Sequence, residues 1–179
     1  MANNAPASIL EVRRLDAVSE PQLQALADVL VDCVEGGASV SFMLPMTRDK
    51  ALAFWRRVAD GVARGERVLL VAEDADGIVG TVQVILDLPE NQPHRADVAK
   101  MLVHRRARRR GLGEALMRAA EREAAREGKT LLVLDTADDA AARLYARVGW
   151  QRVGTIPRYA LLPGGGECAT TYFYRALAA

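Results

Sequence analysis

The sequence predicts an α/β protein built on a mixed sheet, and three observations carry that expectation. Apolar runs over 67–72 and 78–86 flank the turn residues Asp76 and Gly77, the pattern of an antiparallel hairpin. A strand ending at Val103, a helix opened by Gly111, Leu112 and Gly113, and a strand over 131–134 form a βαβ unit, which demands a parallel pair. Two amphipathic helical patterns precede both, so helices are available to cover the sheet.

Residues 1–7, small and polar with Pro6, read as a loose tail before an opening strand marked by Ile9, Val12 and Leu15. Ser19, Glu20 and Pro21 supply a helix start, and Leu23, Leu26, Ala27, Leu30, Val31 and Val34 recur at helical spacing until Gly36 and Gly37. Thr47 to Lys50 introduce a second helix with Ala51, Phe54, Trp55, Val58 and Val62 on one stripe, ended by Gly65. Phe42 and Trp55 either line a ligand cleft or pack in the core. After the hairpin comes a polar loop over 91–95 containing Pro93, then the strand of Val98, Met101, Leu102 and Val103. The next helix buries Leu112, Leu116, Ala119, Ala120 and Ala124, exposes Glu114, Arg118, Glu121 and Arg122, gains a Glu114–Arg118 pair, and stops at Gly128. Two last strands, 149–156 and 170–174, joined through Pro163 and Gly164 to Gly166, complete the sheet and leave an edge that either serves a homodimer or is covered.

Composition bounds the function. A chain of 179 residues fits one domain, 1–179, with half its residues apolar, as in ordinary globular proteins. A net charge of +1 gives no global pull towards nucleic acid or membrane. Cys33 and Cys168 form no CxxC, and with only His94 and His104 no His-rich metal cluster can be built, so no metal is expected. The start of the sequence lacks an apolar segment behind a basic flank, and no stretch reaches the roughly 18 apolar residues of a span; a cytoplasmic location is expected.

The glycines at the entrance to the third helix carry the first chemical signal. Without a Cβ at Gly111 and Gly113, backbone N–H groups can converge on an anion at the positive end of the helix dipole. Arg108, Arg109 and Arg110 add charge suited to a ligand with more than one phosphate. Other anion loops fit less well. The dinucleotide fingerprint needs a glycine where Leu116 stands; Gly128, Lys129 and Thr130 imitate the end of a P-loop but precede a strand, with Glu123 at the required first glycine. The five arginines between Arg105 and Arg110 also admit a nucleic-acid patch or a solvated loop without ligand.

Arg108, Gly111 and Gly113, placed between that strand and helix, make the sequence similar to the GNAT acetyltransferase superfamily, whose signature is Arg or Gln, two residues, Gly, one residue, then Gly or Ala. The later run Leu144 to Trp150 keeps the family's order, so the resemblance covers about residues 67–175. The stretches 93–103, 128–136 and 154–161 also resemble the tabtoxin-resistance acetyltransferases, which modify a small amine. The resemblance implies a mixed, mostly antiparallel sheet of six or seven strands with a central parallel βαβ pair and helices on both faces. It implies acetyl-CoA as cosubstrate, held by Met101, Leu102, Val103, Arg108, Arg109, Arg110, Gly111, Leu112, Gly113, Glu114 and Tyr145. It also implies direct transfer to a small-molecule amine, such as an amino acid, dipeptide toxin or antibiotic. A binding module without turnover and a protein or peptide acetyltransferase are the alternatives.

Such a transfer needs a base, because an alkyl ammonium with a pKa near 10 is only about one thousandth nucleophilic at pH 7. Asp97 opens one strand of the parallel pair and Asp135 ends the other at its carboxyl edge, where open α/β sheets place ligands. Both are candidates to hold and deprotonate the amine, and each could instead cap a strand or pair with an arginine. The resemblance assigns the oxyanion donor to the backbone N–H of Leu102, main-chain contacts with the pantetheine arm to Met101 and Val103, and the leaving sulfur to Tyr145. One departure is Asp138, seven residues before the tyrosine, where many members carry a cofactor-contacting Asn.

Overall fold

The structure, a computed structural model, describes residues 11–178; the expected tail 1–7 and Ile9 lie outside them. In chain order the elements are β1 (Glu11–Leu15), α1 (Glu20–Glu35), α2 (Arg48–Ala63), β2 (Arg67–Asp74), β3 (Gly77–Ile85) and β4 (Arg95–Val103). A short 3-10 turn (Arg105–Ala107) then leads to α3 (Leu112–Arg126), β5 (Leu131–Thr136), α4 (Asp139–Arg147), β6 (Gln151–Leu161) and β7 (Glu167–Ala176). One sheet of seven strands runs β1-β2-β3-β4-β5-β7-β6, antiparallel except between β4 and β5.

Local chemistry explains the helix starts. At the head of α1, Gln22 Oε1 accepts from the backbone N–H of Ser19 at 2.8 Å, half of a capping box, and at the head of α2 Thr47 Oγ1 accepts from the N–H of Lys50. Strand alternation divides the core in two. Val68, Leu70 and Ala72 of β2 join Val82, Val84, Ala96, Leu132, Leu134 and Phe173 beneath α3 and α4. Leu69 and Val71 face the other way, against α1 and α2, where Trp55 is fully buried. Trp55 is therefore core, while Phe42 meets Phe54 edge to face, with ring centroids 5.3 Å apart.

The α1–α2 layer covers only part of its face. Its cluster draws sheet residues from β1 to β4 but none from β5, β6 or β7. The side chains of Asp97, Asp135, Thr170 and Tyr172 project on that side by alternation with Ala96, Leu134 and Phe173, and so line an open shelf beside the helices.

Two expectations need adjustment. The loop expected over 91–95 gives way to strand at Arg95, because pairing with Leu131 extends β4 backwards. The two C-terminal strands are longer than their apolar runs, since β6 and β7 pair with each other from Gln151↔Tyr174 out to Leu161↔Glu167 through polar residues. Long-range pairing fixes both, and local pattern does not register it.

Candidate active site at the split between the parallel strands

The parallel ladder is short. β4 and β5 pair over Arg95↔Leu131, Ala96↔Leu132 and Asp97↔Val133, and then each strand continues along a different neighbour, β4 on β3 and β5 on β7. Beyond Asp97 and Val133 the strands part, leaving main-chain groups of β4 unpaired towards the gap. A bulge lies in the same place, where the register with β3 shifts between Thr81 and Gln83 and Lys100 takes a left-handed φ of 52°.

The register decides which main-chain groups face the gap. His104 donates its N–H to Val79 of β3 at 2.8 Å, and Leu102 pairs with Thr81, so the two-residue period turns the N–H of Leu102 to β3 as well. The assignment of the oxyanion donor to Leu102 is therefore corrected: its N–H belongs to the sheet, and its side chain is buried against α1 and α2. Met101 and Val103 turn their main chain to the opposite, open side and pack their side chains under α3.

At the top of the gap the chain turns into α3. Arg109 (φ 61°) and Gly111 (φ 77°) are both left-handed, and Gly111 is the N-cap with no side-chain cap on the helix. A Cβ on Gly111 would meet nothing within 4 Å, so the space before the helix end is open. Gly113 differs: a Cβ there would lie 2.7 Å from Leu144 Cδ2, so a larger residue would push that side chain aside where α3 packs on α4. An uncapped helix N-terminus, opened by a left-handed glycine and flanked by arginines, fits a diphosphate group. Leu112 is buried beneath the sheet, and Glu114 faces Arg118 at 3.8 Å, so neither side chain points to the helix entrance as a ligand group.

Much of the arginine charge is spent on shaping this loop. Asp32 of α1, whose side chain is only 8 % exposed, takes the backbone N–H of Arg105 at 2.9 Å and its guanidinium, and lies 3.5 Å from His104 Nε2. Burial works against ionisation of Asp32, but the Arg105 hydrogen bonds and the His104 and Arg105 charges outweigh it and hold the carboxyl below the usual range. Arg106 pairs with Asp74 at 2.7 Å, Arg110 stands 3.8 Å from the same carboxylate, and Arg108 Nε donates to Val103 O at 3.2 Å. The P-loop imitation also has a structural use: Gly128 follows α3, and Lys129 Nζ donates to Pro93 O at 2.9 Å.

On the open shelf, Asp97 is paired with Arg95 at 2.8 Å. Burial pushes its carboxyl up, Arg95 pulls it back, and the like charge of Asp135 adds to the rise, which prevails. Asp135 accepts from the buried Thr170 hydroxyl at 2.6 Å, and its charge also reaches Lys100, Tyr145 and Tyr172. It is thus the electrostatic centre of the shelf. The Tyr172 hydroxyl lies 2.9 Å from that of Tyr159; this hydrogen bond, then burial and Asp135, push Tyr172 up to about 12.

Tyr145 stands on the opposite face, 5 % exposed, with its ring 5.8 Å from Phe173 and 6.2 Å from Trp150. Burial first, then the charges of Asp138 and Asp135, push its hydroxyl well above the usual tyrosine range. Asp138 is the N-cap of α4, with Oδ1 accepting from the N–H of Ala141 at 2.6 Å. Asp and Asn cap helices about equally well, which accounts for Asp at that position. Sequence reasoning missed Asp32, Lys100 and Thr170. Only Lys100 left a trace, as a charge that breaks the strand pattern between Ala99 and Met101.

Residues 65–152, which hold the hairpin, the split and the glycine turn, match the family model described as "Acetyltransferase (GNAT) domain". The chain carries a GNAT acetyltransferase domain. Solved structures share the fold. A ribosomal-protein-alanine N-acetyltransferase from Brucella melitensis superposes with a TM-score of 0.79 at 22 % identity, over 94 % of this chain and 100 % of its own. A GCN5-related N-acetyltransferase from Kribbella flavida gives 0.76 at 24 % identity, over 94 % and 98 %. A phosphinothricin acetyltransferase from Sinorhizobium meliloti, in complex with AcCoA, gives 0.78 at 16 % identity, over 94 % and 89 %. The GNAT domain is that of acetyl-CoA-dependent N-acetyltransferases, which leaves the acceptor as the open element. Among the described residues, no helix is long and apolar enough to cross a membrane.

Proposed function

We propose that this GNAT protein transfers the acetyl group of acetyl-CoA directly to the amine of a small molecule, with the acceptor on the open shelf and the thioester in the split between β4 and β5. The observation that carries this reading is that split. There the unpaired main chain of β4 runs beside the strand ends that carry Asp97 and Asp135 and leads into the arginine and glycine turn at the head of α3.

When bound, acetyl-CoA supplies an activated thioester carbonyl and a thiolate leaving group. The N–H groups at the entrance of α3, from Arg109 to Gly113, with the guanidinium of Arg108 or Arg109, hold the diphosphate. The main chain of Met101 and Val103 lines the arm, and the Met101 N–H is the donor for the carbonyl oxygen, in place of Leu102. Asp135, fixed by Thr170, receives the acceptor's ammonium, and Asp97, whose raised pKa suits a base, takes its proton directly or through water. Tyr145 keeps its proton: full transfer to a thiolate is uphill by about 2 kcal/mol even for unperturbed groups, and burial raises that cost. It serves the leaving sulfur as a hydrogen-bond donor.

Three further expectations belong to this reading: one domain over the chain, a cytoplasmic setting, and no metal in the chemistry. The nucleic-acid alternative is disfavoured by Arg105 and Arg106 being held by Asp32 and Asp74, which leaves less cationic surface for phosphates. The test is free-thiol release from acetyl-CoA across amino acids, dipeptides, polyamines, aminoglycosides and an N-terminal peptide, against a control without acceptor. Release that requires a small amine supports the proposal, and release with the peptide alone transfers it to protein acetylation. CoA binding without release for any acceptor would leave a binding module.

A further inference from the structure

The shelf that carries Asp97 and Asp135 also carries a cation. Alternation along β4 places Ala96 and Val98 under α3 and Leu102 under α1 and α2. Lys100 is the extra residue of the bulge, and its left-handed backbone re-aims its side chain onto the shelf, next to Ala99. Its Nζ donates to Ser41 Oγ at 3.1 Å and stands 5.8 Å from the centroid of the Phe54 ring. Burial pushes the Lys100 ammonium down while Asp135 pulls it back, so it is a partly desolvated cation within reach of the central carboxylate. An ammonium has three donors, and Ser41 takes one.

A lone carboxylate shelf would suit any amine, including a polyamine. A shelf that carries two carboxylates together with a half-buried ammonium is complementary to a zwitterion. Arg95 does not compete for the role, because it is engaged with Asp97. Resting on the acetyl-transfer reading above, we propose that Lys100 binds the carboxylate of the acceptor, and that the acceptor is a free amino acid whose ammonium faces Asp135 and Asp97. Lys100 is then a specificity-determining residue. A tie between the α1–α2 loop and the sheet would be its merely structural role, and the two differ in what they do to substrate preference.

The experiment compares each acetylated amino acid with its carboxamide and with its decarboxylated amine, in the parent, Lys100→Met and Lys100→Arg. A charge-assisted contact of this kind predicts that the parent prefers the free carboxylate by about 10- to 100-fold in kcat/KM. Lys100→Met should erase that preference, mainly through KM, with acetyl-CoA affinity unchanged, and Lys100→Arg should restore part of it. Equal use of acid and amide by the parent overturns the inference without any variant, so a misfolded variant cannot shelter it. An equal loss on both substrates in Lys100→Met also overturns it, in favour of the structural tie. Failure of every amine while CoA binds is a different result: it removes the transfer reading, and this inference with it.

Discussion

Replacing Gly111 by Asp and, separately, by Asn separates charge from shape at the entrance of α3. Both residues tolerate a left-handed backbone better than other side chains, and the open space around a Cβ at Gly111 admits either. Leaving glycine costs about 1 kcal/mol of stability, so both variants should fold, with Tm lower by roughly 2–4 °C. They differ by one negative charge. At about 5 Å from a diphosphate charge the repulsion is about 3 kcal/mol per unit charge at an effective dielectric of 20, and about 0.8 kcal/mol in bulk water. CoA should therefore bind Gly111→Asp roughly 4- to 150-fold more weakly than Gly111→Asn, and the gap should narrow as salt is added. Calorimetric titration of both variants with CoA, at low and at high ionic strength, measures this directly. Equal affinities for the two variants would refute the diphosphate assignment.

Three other predictions follow from the site. Tyr145→Phe, which keeps the packing on Phe173 and Trp150, should lower kcat on a verified acceptor while leaving CoA affinity alone; unchanged turnover removes the leaving-group role. Because the Asp97 carboxyl is raised, it ionises above the usual carboxylate range, so the acid limb of kcat/KM should lie above about pH 4 and flatten in Asp97→Asn. A limb unmoved by that change assigns the base elsewhere. Asp32 has the opposite sign: its depressed pKa contributes stability that is present above the usual carboxylate pKa and lost as pH falls through its folded value. Asp32→Asn should thus lower Tm at pH 7, by the equivalent of about 1–3 kcal/mol, and the difference from the parent should shrink below about pH 4; a constant difference contradicts the clamp.

The fold was legible wherever apolar period and turn chemistry act locally. Leu23 to Val34 read as helix and are helix, and the hairpin closes one residue earlier than the expected Asp76–Gly77 turn, through Ala75 and Asp76, with Gly77 opening β3 opposite Asp74. What the pattern could not carry is what depends on partners far along the chain. The start of β4 at Arg95 is fixed by Leu131, and the lengths of β6 and β7 by each other. The glycine turn was visible because two glycines one residue apart follow three consecutive arginines where a strand pattern gives way to a helix pattern. The N–H of Leu102 turns to β3 and away from the gap, a direction that depends on the β3 register, which a strand's own sequence does not encode. Asp32 lies on the same helix as a clean apolar stripe, and its partner Arg105 lies 73 residues away. No local signal marks such a pair.

Direct acetyl transfer is tested by a single-turnover reaction with acetyl-CoA labelled at the acetyl carbonyl carbon, followed by NMR in the presence of an amino-acid acceptor. The label should move from thioester to amide on the acceptor nitrogen, with none held on the protein. Label that stays on CoA for every amine, while CoA binding is intact, would contradict it.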